Sequence, residues 1–286
     1  MARKLFCEIS PACYKISVEK EIFLRHCQNL MSPVRFACSR QIEPLPNLVK
    51  AHTSLLARQL HGVDMTLQYN KVTNIGLACQ GINGLVIRPG EVFSFWRQVG
   101  RPTARRGFKE GLVITRKNGL IADVGGGLCQ MANMVHWLVL NSPLTVVELH
   151  HHSDALFPDD RRRVPFGTGT SVCYNQLDYR FQNTSDQDVQ LLTWIENGEL
   201  CGELRSIAPF PHRYKLVEEN HHFRKEGDDY YRVSQVYRLA IDRQSDQVVE
   251  KKLILDNHSR VLYDHDLIPK DEIKDGGSVN QNQTDR

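Results

Sequence analysis

The side chains best placed to do chemistry in this sequence gather around one glycine run, DVGGGLCQ, from Asp123 to Gln130. Three successive glycines, Gly125, Gly126 and Gly127, need a reason. Glycine either takes positive φ or lets backbone approach a partner closely. The apolar stretch LCQMANMVHWLVL that follows reads as a buried helix. Cys129 therefore stands in a first helical turn, where unpaired N–H groups and the positive end of the helix dipole lower a thiol pKa. The same N–H groups, with the glycine loop and Gln130, could form an oxyanion hole for acyl transfer. The plainer alternative is an inert cysteine packed at a tight turn.

A nucleophilic cysteine needs a base, and the base needs orienting. ELHHHSD supplies His150, His151 and His152 where a strand runs into a loop. Strand alternation puts His150 and His152 on one face and His151 on the other. His136 lies mid-helix among apolar residues and reads as a core histidine. Asp178, farther along, could orient an imidazole. The triple histidine offers a metal two ligands at best, with Asp154 or Cys129 to complete a set, and no standard zinc spacing accompanies it. The expectation is no metal and no cofactor. A phosphate cradle is a weak reading here: no Lys or Ser/Thr follows Gly127 as a P-loop needs, and GxGxxG is absent.

The elements that must position these groups follow from the patterning. Residues 1–45 read as a helical extension, amphipathic through Ile22, Phe23, Cys27, Leu30 and Met31. It would pack on its own domain, with docking or a membrane surface as alternatives. Pro44 and Pro46 punctuate its end, and further helices are expected over 47–61 and 65–80. VFSF, LTVVEL and the two arms around Asn118-Gly119 read as strands. From Ser171 the signal is β. The expected class is α+β: N-terminal helices, then largely antiparallel β-structure around one buried helix. The expected organisation is the 1–45 extension, a core over 46–206, a β-rich extension over 207–268 and a disordered tail over 269–286.

Composition sets the outer limits. A chain of 286 residues with 41% hydrophobic and 24% charged residues is globular. A net charge of +3 is too small to argue for nucleic acid. Arg161, Arg162 and Arg163 form the strongest local basic patch. No apolar run reaches the roughly 18 residues that span a bilayer, and MARKLFCEISPACYK lacks a signal-peptide pattern. The expected location is cytoplasmic, with membrane-surface association as a variant. The 8 cysteines contain no CxxC, and most read as small buried hydrophobes.

PGEVFSFW, GGGLCQMANMVHW, HHHSD, SVCYNQLDYRFQN, LARQL, DMTLQYNKVTN and VEENHHF together closely resemble the VanW family, over roughly residues 45–265. The resemblance implies a role in glycopeptide resistance or cell-wall peptide metabolism. VanW domains of some surface proteins look like L,D-transpeptidases, which cross-link peptidoglycan stem peptides through a cysteine. On that likeness Cys129 is the nucleophile, His152-Ser153 the family's His-Ser pair, and Asp178 its aspartate. Trp96 and Ser153 would contact substrate. Glu148-Leu149 replaces the family's Glu-Arg, and Arg161 to Arg163 are the expected substitutes for binding a carboxylate. The implied partner is a stem peptide or precursor. The alternative is a non-catalytic module that binds such a peptide in the same cleft, with the arginines gripping its carboxylates.

Overall fold

The structure is a computed structural model that describes residues 5–57, 65–115, 119–151, 154–155, 158, 164–165 and 167–274. In chain order the elements are α1 (Pro11–Met31), β1 (Ser39–Arg40), β2 (Asn47–Leu55), α2 (Met65–Ile82), β3 (Leu85–Ile87), β4 (Val92–Ser94), α3 (Phe95–Val99), β5 (Glu110–Thr115) and β6 (Gly119–Val124). There follow α4 (Leu128–Leu140), β7 (Thr145–Glu148), β8 (Asp154–Ala155), β9 (Arg180–Gln182), β10 (Val189–Glu196) and β11 (Glu199–Ser206). The long strands β12 (His212–Glu226), β13 (Asp229–Asp242) and β14 (Val248–Val261) come next, and β15 (Ile273–Lys274) ends the series. The fold is mixed α+β with mostly antiparallel sheets, as the patterning predicts. Among the described residues no helix is long and apolar enough to cross a membrane.

The chain forms two compact units. The first holds residues 1–150 and 170–210, and the second holds 151–169 and 211–286. In the first, a sheet of order β1-β3-β10-β11-β2 carries the core. The Asn197-Gly198 turn closes its β10–β11 hairpin, both residues having positive φ, as a two-residue hairpin turn requires. α4 is apolar on nearly every side, and Met131, Ala132, Val135, Leu138 and Val139 are fully buried. It packs against β2, β11 and α2. A small sheet of order β4-β9-β7 completes this unit, beside the β5–β6 hairpin. The second unit is a sheet of order β15-β12-β13-β14-β8 with a small core of Ala155, Phe223, Val261 and Ile268.

Three expectations change. Residues 47–55 form a strand rather than a helix, paired antiparallel with β11 from Asn47↔Ser206 to Leu55↔Glu199. Residues 270–274, expected in a disordered tail, form a 3-10 turn and a short strand parallel to β12. α1 is a helix over 11–31, started by Ser10, whose hydroxyl accepts from Cys13 N. However, the expected apolar face does not pack. Only Ile22 is buried, while Phe23, Leu30 and Met31 are 65%, 84% and 78% exposed. α1 is held by polar contacts instead: Arg25 to Glu148, Glu19 to Arg101, Asn29 Oδ1 accepting from Arg180, and the Ile22 carbonyl accepting from Asn175.

Candidate functional site

The β5–β6 hairpin delivers the chain to the glycine turn, and the turn starts α4. Gly127 has φ 91°, so glycine is favoured there. Gly126 is required for a different reason. A Cβ on it would stand 2.1 Å from the carbonyl carbon of Gly111, so only glycine lets the turn lie against β5. Asn74 of α2 fixes the arrangement, its Nδ2 donating to Gly126 O at 2.9 Å.

The glycine N–H groups are committed. Gly125 donates to Lys109 O at 3.0 Å, Gly126 to Asp123 O at 3.1 Å and Gly127 to Leu112 O at 3.1 Å. The expectation that these glycines supply oxyanion donors is corrected accordingly. In the first turn of α4 the Gln130 N–H is also taken, by Gly127 O at 3.0 Å, so among the described residues the N–H groups of that turn that remain for an oxyanion are those of Leu128 and Cys129. Gln130 is a tether: its Nε2 donates to Ser54 Oγ and Leu55 O, both at 2.8 Å, fastening α4 to β2.

Cys129 Sγ lies 3.9 Å from Val172 O. Burial pushes the thiol pKa up, and backbone hydrogen bonds at Val172 and at Cys129 itself oppose this without reversing it. The lowering expected at a helix N-terminus is thus outweighed by desolvation. The segment 170–172 lies between this thiol and the end of β7. Thr170 N donates to Asn133 Oδ1 on α4 at 2.7 Å, and Ser171 N donates to His150 O at 2.6 Å.

His150 leads to a charged chain. Its Nε2 is 3.1 Å from Glu148 Oε1. Glu148 also receives Arg25, accepts from Asp178 N at 3.1 Å and lies 3.4 Å from Arg180 Nε. Burial works to raise the Glu148 pKa, but the bonds from His150 and Arg25 and the charges of Arg25 and Arg180 hold it below the ordinary carboxylate value. Glu148 therefore stays ionised at neutral pH and provides a fixed counter-charge for an imidazolium.

Asp178 is 1% exposed. Oδ1 accepts from Trp96 N at 3.1 Å and Tyr179 N at 2.9 Å, and Oδ2 accepts from Ser94 Oγ at 2.6 Å and Arg180 Nε at 2.7 Å. It braces the start of α3, whose N-cap is Ser94, and joins the histidine chain through Arg180. Trp96, expected to contact substrate, is 6% exposed. Its indole N–H donates to Leu177 O at 2.8 Å and its ring packs edge-on to Phe95 and Tyr174, a core position. His136 is the expected core histidine, bonded to Tyr179 Oη at 3.1 Å. His151 Nδ1 lies 3.2 Å from both Gly167 O and Gly169 O, in the second unit. His152, Ser153, Arg161, Arg162 and Arg163 lie outside the described residues. Among the described residues no group of three His, Cys, Asp or Glu is arranged to hold a metal ion.

Sequence reasoning gave no role to Glu148, which it named, and did not find Arg25 or Arg180. Glu148 had a signal, since strand alternation puts it on the same face as His150 and His152. Arg25 had none, being 123 residues from its partner.

Residues 70–205 match the family model described as VanW like protein. The chain is 29% identical over 220 residues to the Vancomycin B-type resistance protein VanW of Enterococcus faecalis (strain ATCC 700802 / V583), covering 77% of this chain and 79% of that protein. It is also 29% identical over 150 residues to the uncharacterized protein YoaR of Bacillus subtilis (strain 168), about half of each chain (49% and 48%). No solved structure matches.

Proposed function

Because the chain belongs to the VanW family, we propose that it serves cell-wall peptide metabolism linked to glycopeptide resistance, as a cysteine acyl-transferase of the L,D-transpeptidase type acting on peptidoglycan stem peptides. The observation that carries this reading is the join at 170–172. One short segment touches both the Cys129 thiol and the backbone of His150, whose imidazole rests on an ionised carboxylate.

The Cys129 sulfur attacks the carbonyl carbon of a peptide bond next to a D-centre, and its proton passes to an imidazole as the C–S bond forms. With the thiol pKa raised, the proton must leave during attack rather than beforehand. N–H groups of the first turn of α4 stabilise the oxyanion. The intermediate then expels the amine, which takes the proton from the imidazolium. Water or an acceptor amine resolves the thioester, giving hydrolysis or a cross-link. His152, indicated by the family likeness, and His150, on Glu148, are the two candidate bases. Asp178 acts at one remove, through Arg180 and Glu148, as a positioning residue.

The test is intact-protein and peptide mass spectrometry after incubation with a stem tetrapeptide. The expected result is an acyl adduct on Cys129 that His152→Ala or His150→Ala slows at least tenfold, whichever supplies the base. Turnover undiminished in Cys129→Ser would sink the reading. A second reading, a binding module, is favoured by the same raised thiol pKa. It predicts peptide affinity that Cys129→Ala leaves intact, with no adduct in the parent protein.

A further inference from the structure

A second thiol stands beside Cys129, and nothing in the acyl-transfer reading uses it. Cys173 directly follows Val172, whose carbonyl oxygen is 3.9 Å from Cys129 Sγ. Across a trans peptide that oxygen lies about 2.8 Å from the next Cα, so the Cys129 sulfur is within about 7 Å of the Cys173 Cα. A disulfide holds its Cα atoms about 4.4–6.8 Å apart, so closing this sulfur-to-Cα gap takes rotation of both side chains together with movement of the backbone at 170–173. Cys173 is exposed, whereas Cys129 is not.

The backbone at Cys173 is held by a tight turn. Its N–H donates to Leu177 O at 2.9 Å and its carbonyl accepts from Gln176 N and Leu177 N, both at 3.0 Å. Asn175, at φ 51°, sits in the turn, and its side chain is anchored on the Ile22 carbonyl of α1 at 3.0 Å. Among the described residues the Cys173 thiol makes one long contact, 3.8 Å to Gln176 Oε1, so it can rotate away at little cost. Burial raises the Cys173 pKa, and Cys129 and then Asp123 raise it further, so only a minor fraction of Cys173 is thiolate near neutral pH.

We propose that Cys129 and Cys173 are a modification site: a peroxide converts them to a reversible disulfide. The thiolate fraction of exposed Cys173 attacks one oxygen of hydrogen peroxide. The O–O bond breaks, leaving a sulfenic acid on Cys173 and releasing water. The Cys129 thiol then attacks the sulfenic sulfur, the S–O bond breaks, and the hydroxyl leaves as water with the thiol proton. Two thiols and one peroxide thus become one disulfide and two waters, the sulfurs losing two electrons and the peroxide gaining them. An external dithiol returns both thiols by exchange. Bond formation requires no acyl-transfer activity. Only its consequence, a blocked nucleophile, rests on the proposed function.

The experiment is non-reducing peptide mapping of the full chain after equimolar hydrogen peroxide, with remaining thiols capped by iodoacetamide. The expected product is a cross-linked pair carrying Cys129 and Cys173, lost on treatment with dithiothreitol. In Cys173→Ser, whose fold is checked by circular dichroism, Cys129 should stay available for capping after the same treatment. Oxidation confined to other cysteines, or Cys173 oxidised with Cys129 still free, overturns the proposal. The mapping uses no substrate, so a failed acyl-adduct assay and a failed cross-link are separate results.

Discussion

Asp178 shows how completely a buried carboxylate can be committed to its neighbours. Both of its oxygens are filled, by two backbone N–H groups, a hydroxyl and a guanidinium. Removing it leaves Arg180 short of a partner in a position only 12% exposed. Asp178→Ala should cost about 3–5 kcal/mol, the range for breaking a buried ion pair from one side, read as a drop in the urea midpoint. Stability unchanged to within about 0.5 kcal/mol would mean that the network is dispensable. The placing of Cys129 and the glycines at the start of α4 was legible, because glycine runs and a cysteine at a helix start are local features; the commitment of the glycine N–H groups was not. The raised thiol pKa was not legible, because desolvation depends on what a residue is packed against, and no local spacing reports that. The Glu148–Arg25 pair escaped for a similar reason: the two meet only through tertiary structure.

Among the elements, the glycine turn and β5 depend on each other. Gly126→Ala would set a Cβ against the Gly111 carbonyl, and backbone cannot rotate aside as a flexible side chain can. The expected loss is about 2–4 kcal/mol, the range for overpacking with a backbone shift, measured by chemical denaturation. A loss under about 0.5 kcal/mol would show that the hairpin yields freely. The β5–β6 hairpin itself was legible from Asn118-Gly119, and the pairing Thr115↔Gly119 agrees. β2 was not. Leu48, Ala51, Leu55 and Leu56 suit helical spacing, but Val49 and Thr53 are β-branched, and eight pairings with β11 decide the matter.

At the scale of the whole molecule, the α+β class followed from patterning, because a nearly all-apolar helix and successive alternating strands admit few arrangements. The passage of residues 151–169 into the second unit did not follow, since a polar stretch carries no record of the sheet it joins. α1 was legible as a helix, but its fastening was not. It is attached through charges while Phe23, Leu30 and Met31 face outward. That arrangement sets how the attachment responds to salt. Sodium chloride near 1 M shortens the Debye length to about 3 Å and weakens ionic contacts, most of all the exposed Glu19–Arg101 pair. Amides of Pro11–Met31 should then exchange hydrogen severalfold faster while those of α4 hold steady. A helix fastened by apolar packing would do the reverse and tighten in sulfate, so increased protection of α1 in salt would refute an ionic attachment. On this arrangement, ionic strength governs how firmly the N-terminal helix stays seated over Glu148 and the 173–177 turn.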